Sequence, residues 1–248
     1  MLNIVIPMAG KGSRFKDAGY AFPKPLIEIM GKTMIDVVTN NLRPDCEYKF
    51  IFICQKEHYE KYDLYNILKN ATSNKFEVVQ INGITEGAAC TVLTATQFIN
   101  NEDDLLIANS DQYIQTNIND FIKNARKDDK DGLIMTFKSS HPKWSYVRMN
   151  KKGEVIEVAE KKVISDHATV GIYYYKKGSD FVKAAQAMIY KNIKHNNEFY
   201  VAPTYNEMIL DNKKIYIKDI PENKMHGLGT PEDLNAFLSK VEKEKIKL

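Results

Sequence analysis

Short runs of consecutive apolar residues punctuate the first half of the chain: Ile4-Val5-Ile6, Phe50-Ile51-Phe52-Ile53-Cys54, Phe76 to Val79, and Leu105-Leu106-Ile107-Ala108. Runs this short and unbroken predict strands buried on both faces, because a half-exposed strand would alternate apolar with polar residues. Between them, Met34 to Leu42, Glu57 to Leu68 and Ala88 to Phe98 carry apolar residues at helical spacing. Buried strands alternating with helices predict a mostly parallel sheet covered on both sides, the doubly wound α/β class.

The pattern changes after the fourth strand. Leu133 to Phe137 and Ser145 to Met149 read as strands, and Asn150-Lys151-Lys152-Gly153 reads as a hairpin turn into Val155 to Val158. Ala168 to Tyr175 predicts a strand, Asp180 to Tyr190 a helix, and Ile215 to Ile220 a late strand. Thr230-Pro231-Glu232-Asp233 has the features of a helix start: a hydroxyl cap, proline at the first helical position and acids in the first turn. No internal repeat or low-complexity linker divides the 248 residues, so one domain over 1–248 is expected.

Charge narrows the function classes. Lys and Arg number 35 against 32 Asp and Glu, a net +3 that argues against a nucleic-acid partner. Basic runs such as Lys161-Lys162 and the stretch from Lys240 to Lys245 read as solvated faces. Nothing resembles a signal peptide or a membrane span, and Cys46, Cys54 and Cys90 show no metal-binding or disulfide spacing, so a cytoplasmic, soluble protein is expected.

The candidate chemistry begins where the first strand ends, at Pro7-Met8-Ala9-Gly10-Lys11-Gly12-Ser13-Arg14-Phe15, followed by Pro23-Lys24-Pro25-Leu26. Two glycines let backbone N–H groups approach phosphate oxygens closely. Lys11 and Arg14 add positive charge, and two prolines stiffen the backbone on either side of Lys24. Two rival phosphate motifs fail. A P-loop ending at Gly31-Lys32-Thr33 would need glycine where Leu26 stands, and the dinucleotide fingerprint would need glycine where Phe15 stands. Asp111, just past the fourth strand, is a carboxylate at the strand end where open α/β sheets bind ligands.

These motifs together resemble the sugar-1-phosphate nucleotidylyltransferases, or nucleotide-sugar pyrophosphorylases. The likeness runs along nearly the whole chain, through Glu86-Gly87-Ala88-Ala89, Asn109-Ser110-Asp111, Glu157 to Lys162, Gly171-Ile172-Tyr173 and Gly229 to Leu234. It implies a Rossmann-like, mixed but mostly parallel sheet flanked by helices, the GT-A-like nucleotidyltransferase fold. It also implies a reaction joining a nucleoside triphosphate to a phosphorylated small-molecule acceptor, with Mg2+ as cofactor and pyrophosphate released.

Residue by residue, the resemblance implies Arg14, Lys24 and Asp111 as catalytic, with Asp111 the metal ligand. Met8, Ala9, Gly10, Lys11, Gly12, Ser13, Arg14, Glu86, Gly87 and Ala88 are the implied nucleotide-binding residues. Lys161, Glu160 and Glu198 are the implied acceptor residues. Taken as a same-strand pair, Glu160 and Lys161 would point to opposite faces, which favours Lys161 for an anionic acceptor. The chain departs from the family pattern in two places. Many members carry a second metal-binding acid before the closing Gly-Thr motif, where this chain reads Met225-His226-Gly227-Leu228-Gly229, so either one protein carboxylate suffices or Asp219, Glu232 or His226 assists. Lys162 also stands where the family's Glu-Lys-Pro motif has proline.

His141 to Tyr146, Ser165 to Val170 and Asn197 to Asn206 resemble a capsule-cluster branch of these enzymes, which implies CTP as triphosphate and phosphoglutamine as acceptor. The alternative is a sugar-1-phosphate substrate with UTP, TTP or CTP. A glycosyltransferase of related fold would be expected to show Asp-x-Asp where this chain reads Asp111-Gln112-Tyr113, and a non-catalytic nucleotide sensor is the remaining rival. The sequence leaves a homo-oligomer open.

Overall fold

The computed structural model describes residues 1–127, 130–243 and 246; Lys245, in the basic run named above, lies outside them. Along the chain, β1 (Leu2–Pro7) leads through the glycine loop into the short helix α1 (Ser13–Asp17). Two short strands, β2 (Glu28–Ile29) and β3 (Lys32–Thr33), then turn the chain into α2 (Met34–Asn41). The start of α2 is a capping box: the Thr33 hydroxyl accepts from the Asp36 amide at 3.2 Å, and the Asp36 carboxylate accepts from the Thr33 amide at 3.1 Å.

Next come β4 (Tyr48–Gln55), α3 (Lys56–Lys61), α4 (Leu64–Thr72) and β5 (Phe76–Ile81). They are followed by α5 (Ala88–Leu93), α6 (Thr96–Ile99), β6 (Asp104–Ala108), β7 (Gln112–Ile114) and α7 (Ile118–Ala125). The remainder supplies β8 (Gly132–Lys138), the hairpin β9 (Tyr146–Met149) and β10 (Val155–Ala159), and β11 (His167–Tyr175). The described chain closes with α8 (Gly178–Tyr190), α9 (Thr204–Leu210), β12 (Ile215–Asp219), β13 (Met225–Gly227) and α10 (Pro231–Glu242).

Nine strands form one mixed sheet in the order β10-β9-β11-β6-β1-β4-β5, with β8 also on β11 and β12 beyond it. The half containing β6, β1, β4 and β5 is wholly parallel, as the unbroken apolar runs predict. β11 joins it antiparallel, with Ile172 to Tyr175 opposite Ala108 to Leu105. Alternate residues face opposite sides: Leu2, Ile4 and Ile6 pack into one core layer, while Val5 packs into the other with Ile51 and Ile53.

Two predicted helices are each divided. Glu57 to Leu68 breaks at Asp63, whose φ of 50° is left-handed, and its carboxylate accepts from Asn66 at 2.7 Å. Ala88 to Phe98 breaks between Leu93 and Thr96. There the Thr94 and Thr96 hydroxyls each bond a backbone carbonyl three residues back, an alternative to continuing one straight helix. Helix α9, absent from the sequence pattern, fits against β10, where Asn206 exchanges two 2.8 Å bonds with the Val158 backbone. Among the described residues, no helix is long and apolar enough to cross a membrane.

Candidate active site

The C-terminal ends of β1 and β6 lie side by side because Val5 pairs with Ile107 in parallel register. The loops leaving these strands therefore share one edge of the sheet, where the parallel arrangement opens a crevice. After β1 the chain passes Gly10 and reaches Gly12, whose φ of 59° is left-handed. An added Cβ on Gly12 would lie 3.7 Å from Lys24 Cβ, so the glycine brings the loop close to the Pro-Lys-Pro segment. Lys24 opens a single 3-10 turn, and its Nζ reaches Asp111 Oδ2 at 2.8 Å. Asp111 is further held by its backbone carbonyl, which accepts from Leu228 N at 2.8 Å.

The glycine loop borders a cleft of about 650 Å³ lined by Ala9, Gly10, Lys11, Gly12 and Ser13. Glu86, Gly87 and Ala88 line the same cleft, so the two segments implied for nucleotide binding come together there. Gly87 has φ 118°, and a Cβ there would lie 2.5 Å from Phe199 O. The close approach is locked by Phe199 N donating to Glu86 O at 2.7 Å and Ala89 N donating to Phe199 O at 3.0 Å. Outside the cleft wall, Glu86 pairs with Lys194 at 2.5 Å. Met8 departs from the expectation for the loop: its side chain is in the core and its amide donates to Ile53 O at 2.9 Å.

A second hollow of about 340 Å³ lies under Trp144 and includes Arg14, Ser145, Glu160, Lys161 and Tyr200. Here the same-strand reading of Glu160 and Lys161 is corrected. β10 ends at Ala159, and Lys161 has φ 50°, so the chain bends and both side chains line one hollow. Lys161 Nζ donates to Tyr200 Oη at 2.8 Å, and its backbone amide donates to Trp144 O at 3.1 Å. Glu160 accepts from the Ser145 hydroxyl, and burial pushes its carboxyl above the usual range. Burial, helped by the Glu198 carboxylate, pushes the Tyr200 phenol up as well.

Glu198 was expected among the acceptor residues, but it lines the glycine-loop cleft instead. Tyr200, two residues on, is the side chain that enters the second hollow. Trp144, Ser145 and Tyr200 fall within the segments His141 to Tyr146 and Asn197 to Asn206 singled out in the sequence, but nothing there marked these three individually as lining a site. Lys24 adjoins the glycine loop at Gly12, and Asp111 lines a further hollow that shares Arg14, Trp144 and Lys161 with the second. This arrangement can hold a polyanion along the glycine loop and a polar molecule beside Lys161, in hollows that adjoin at Ala88 and Tyr200, with the Lys24–Asp111 contact as a charged junction nearby.

A divalent cation suits the junction on chemical grounds. Asp111 offers a hard oxygen ligand, and a Cβ on Gly229 would lie only 2.8 Å from Asp111 Oδ2, so the glycine leaves room for that carboxylate.

Comparison with known proteins agrees with this geometry. The described fold resembles the nucleoside-diphosphate-sugar pyrophosphorylase of Vibrio cholerae, with a TM-score of 0.81 and 25% identity over 95% of this chain and 99% of that one. It also matches a UDP-glucose pyrophosphorylase complexed with UDP-glucose, with a TM-score of 0.77 and 16% identity over 98% and 99% of the two chains, a likeness of fold. Among curated sequences, it is 24% identical to the bifunctional protein GlmU of Methanocaldococcus jannaschii over 71% of this chain and 40% of the relative. The GlmU of Methanococcus aeolicus is 25% identical over 99% of this chain and 56% of its own. The chain thus spans about half the length of these curated relatives. The model of the Nucleotidyl transferase family matches residues 4–242. The chain belongs to the nucleotidyl transferase family.

Proposed function

We propose that the protein is a Mg2+-dependent nucleotidyltransferase that joins a nucleoside triphosphate to a phosphorylated small acceptor and releases pyrophosphate. The observation that carries this reading is the pairing of two adjoining hollows that share Ala88 and Tyr200, one walled by a glycine loop with Lys11 and one by Glu160 and Lys161, with the Lys24–Asp111 contact packed against the glycine loop at Gly12. An acceptor phosphate oxygen attacks the α-phosphorus in line, the bond to the β-phosphate oxygen breaks, and pyrophosphate carries away the electron pair. An acceptor phosphate is already ionised near neutrality, so no general base is required. Catalysis is then a matter of placement and charge.

In this reading the Gly10 to Ser13 backbone cradles the triphosphate, with Lys11 and Arg14 holding its departing end. Lys24 neutralises charge between the α-phosphate and the incoming phosphate, while Lys161 orients the acceptor through its anionic part. Mg2+ held by Asp111 would offset the negative charge on the phosphate oxygens.

The branch resemblance at His141 to Tyr146 and Asn197 to Asn206 supports CTP as the triphosphate and phosphoglutamine as the acceptor, in capsular polysaccharide modification. The second hollow suits a zwitterionic head, because Glu160 and Lys161 present both signs to one ligand. A sugar-1-phosphate with UTP or TTP is the second reading, favoured by the likeness to pyrophosphorylases named for sugar nucleotides. Pyrophosphate release measured across triphosphates and acceptors separates the two. Highest turnover is expected with CTP plus phosphoglutamine. Efficient use of glucose-1-phosphate with UTP or TTP, and none of phosphoglutamine, would replace the first reading by the second. No release with any pair would leave the nucleotide-sensor reading.

A further inference from the structure

Two aspartates, Asp111 and Asp233, each paired with a lysine, line one hollow of about 360 Å³ where the ends of β6 and β13 meet α10. Asp111 with Lys24, at 2.8 Å, is the first. Asp233 with Lys143, at 3.7 Å, is the second and the looser. The chain between them is made of glycines at the points of closest approach. A Cβ on Gly229 would lie 2.8 Å from Asp111 Oδ2, and a Cβ on Gly227 would lie 3.5 Å from Asp233 Oδ2. The Asp233 carboxylate thus lies in van der Waals reach of where a side chain at position 227 would start.

The position of Asp233 in the helix does not by itself account for this direction. It is the third residue of α10, where an acid can turn back to the capping residue. Its amide is bonded by the Thr230 hydroxyl at 3.1 Å, while its carboxylate faces Lys143. The other candidates are occupied elsewhere. Asp219 accepts from the Thr136 hydroxyl at 2.6 Å and lies 3.0 Å from His167 Nδ1. Glu232 is exposed, and buried His226 sits with Nδ1 3.3 Å from Lys240 Nζ.

We infer that Asp233 is a second oxygen ligand for the divalent cation, facing Asp111 across the Gly227–Gly229 strand end. Magnesium sites commonly use one or two carboxylates and leave the remaining positions to water and substrate phosphates, which this pair allows. Each lysine neutralises its aspartate until the cation arrives, and both are then free to turn to phosphate. The inference rests on the reading of Asp111 as a metal ligand.

Binding of Mn2+ to the full chain, followed by the loss of the free ion's EPR signal, tests it without any turnover. Asp233→Asn is expected to weaken Mn2+ binding by about tenfold or more, the scale on which single groups around a metal act. Asp233→Ser should give the same loss, which guards against an effect peculiar to one variant at the helix start. Glu232→Gln, one residue away, should bind as the parent does. Gly227→Asp placed in the Asp233→Asn background should recover affinity, since it returns a carboxylate to the same space. Parental affinity in both Asp233 variants, with loss in Asp111→Asn, would overturn this inference and leave the Asp111 reading intact. Parental affinity in Asp111→Asn would overturn both, and equal loss in Glu232→Gln would reduce the effect to general charge.

Discussion

Lys24 and Asp111 are 24% and 26% exposed, so the attraction between them is offset by the cost of drawing both charges partly out of water, and their contact is a weak source of folding stability. Substituting either should therefore affect turnover far more than stability. Lys24→Ala and Arg14→Ala are each expected to cost roughly a hundredfold or more in pyrophosphate release, the scale of losing one charge-stabilising donor. Lys69→Ala, on the remote helix α4, should leave the rate unchanged; a comparable loss there would remove any special role from the loop. Asp111→Asn should stay folded by circular dichroism yet lose most Mg2+-dependent turnover. At this scale the sequence was informative wherever chemistry and spacing coincide, as in Gly10 to Arg14, Lys24 and Asp111. It was silent on orientation. The positive φ of Lys161, which swings it to the same side as Glu160, has no signature in a lysine codon, and the inward turn of Tyr200 depends on its pairing with Lys161.

Among the elements, the loop before α5 is tightly constrained, because Gly87 meets the backbone of Phe199 with no space for a methyl group. Gly87→Ala should destabilise by more than about 1 kcal/mol, combining a disallowed φ with a steric clash. Thermal unfolding should show a midpoint lowered by several degrees, together with weakened triphosphate affinity because Glu86 to Ala88 line the cleft. An unchanged midpoint would mean that the loop yields freely. The strands of the main sheet and the helices α2, α8 and α10 were legible because burial on both faces, or on one, leaves a periodic trace, whereas α7 and the short strands β2, β3, β7 and β13 were not read. The breaks at Asp63 and Thr94 were not, since each depends on a local side-chain bond competing with helix continuation. Helix α9 escaped because Asn206 is explained by its partner Val158, which is distant in the chain. The cap at Thr230 was legible because its donor and acceptor are three residues apart.

Across the molecule, the parallel half of the sheet carries the glycine loop while the antiparallel half brings Glu160, Lys161 and Tyr200, and β13 and α10 close the gap between them. His226 in that closure is buried between Tyr113 and Phe237, and burial with Lys240 and Lys224 nearby holds its imidazole down to about 4 from 6.5. The unfolded chain accepts this proton at the higher pH. The stabilisation is therefore full above about 6.5 and is lost as pH falls from there through about 4. His226→Asn should flatten that part of the pH dependence of the unfolding midpoint; an unaltered slope would assign the acid sensitivity to carboxylates. The Lys24–Asp111 contact has a consequence of another kind. A cleft whose opposite charges already satisfy each other gives a lone cation or a lone anion little reason to settle, because each must first separate the pair. Arriving together, they divide it between them, so each strengthens the hold of the other. Heat resistance should accordingly rise more with magnesium and triphosphate combined than the sum of their separate effects, making the ligand complex, rather than either component, the species that the resting protein is built to notice.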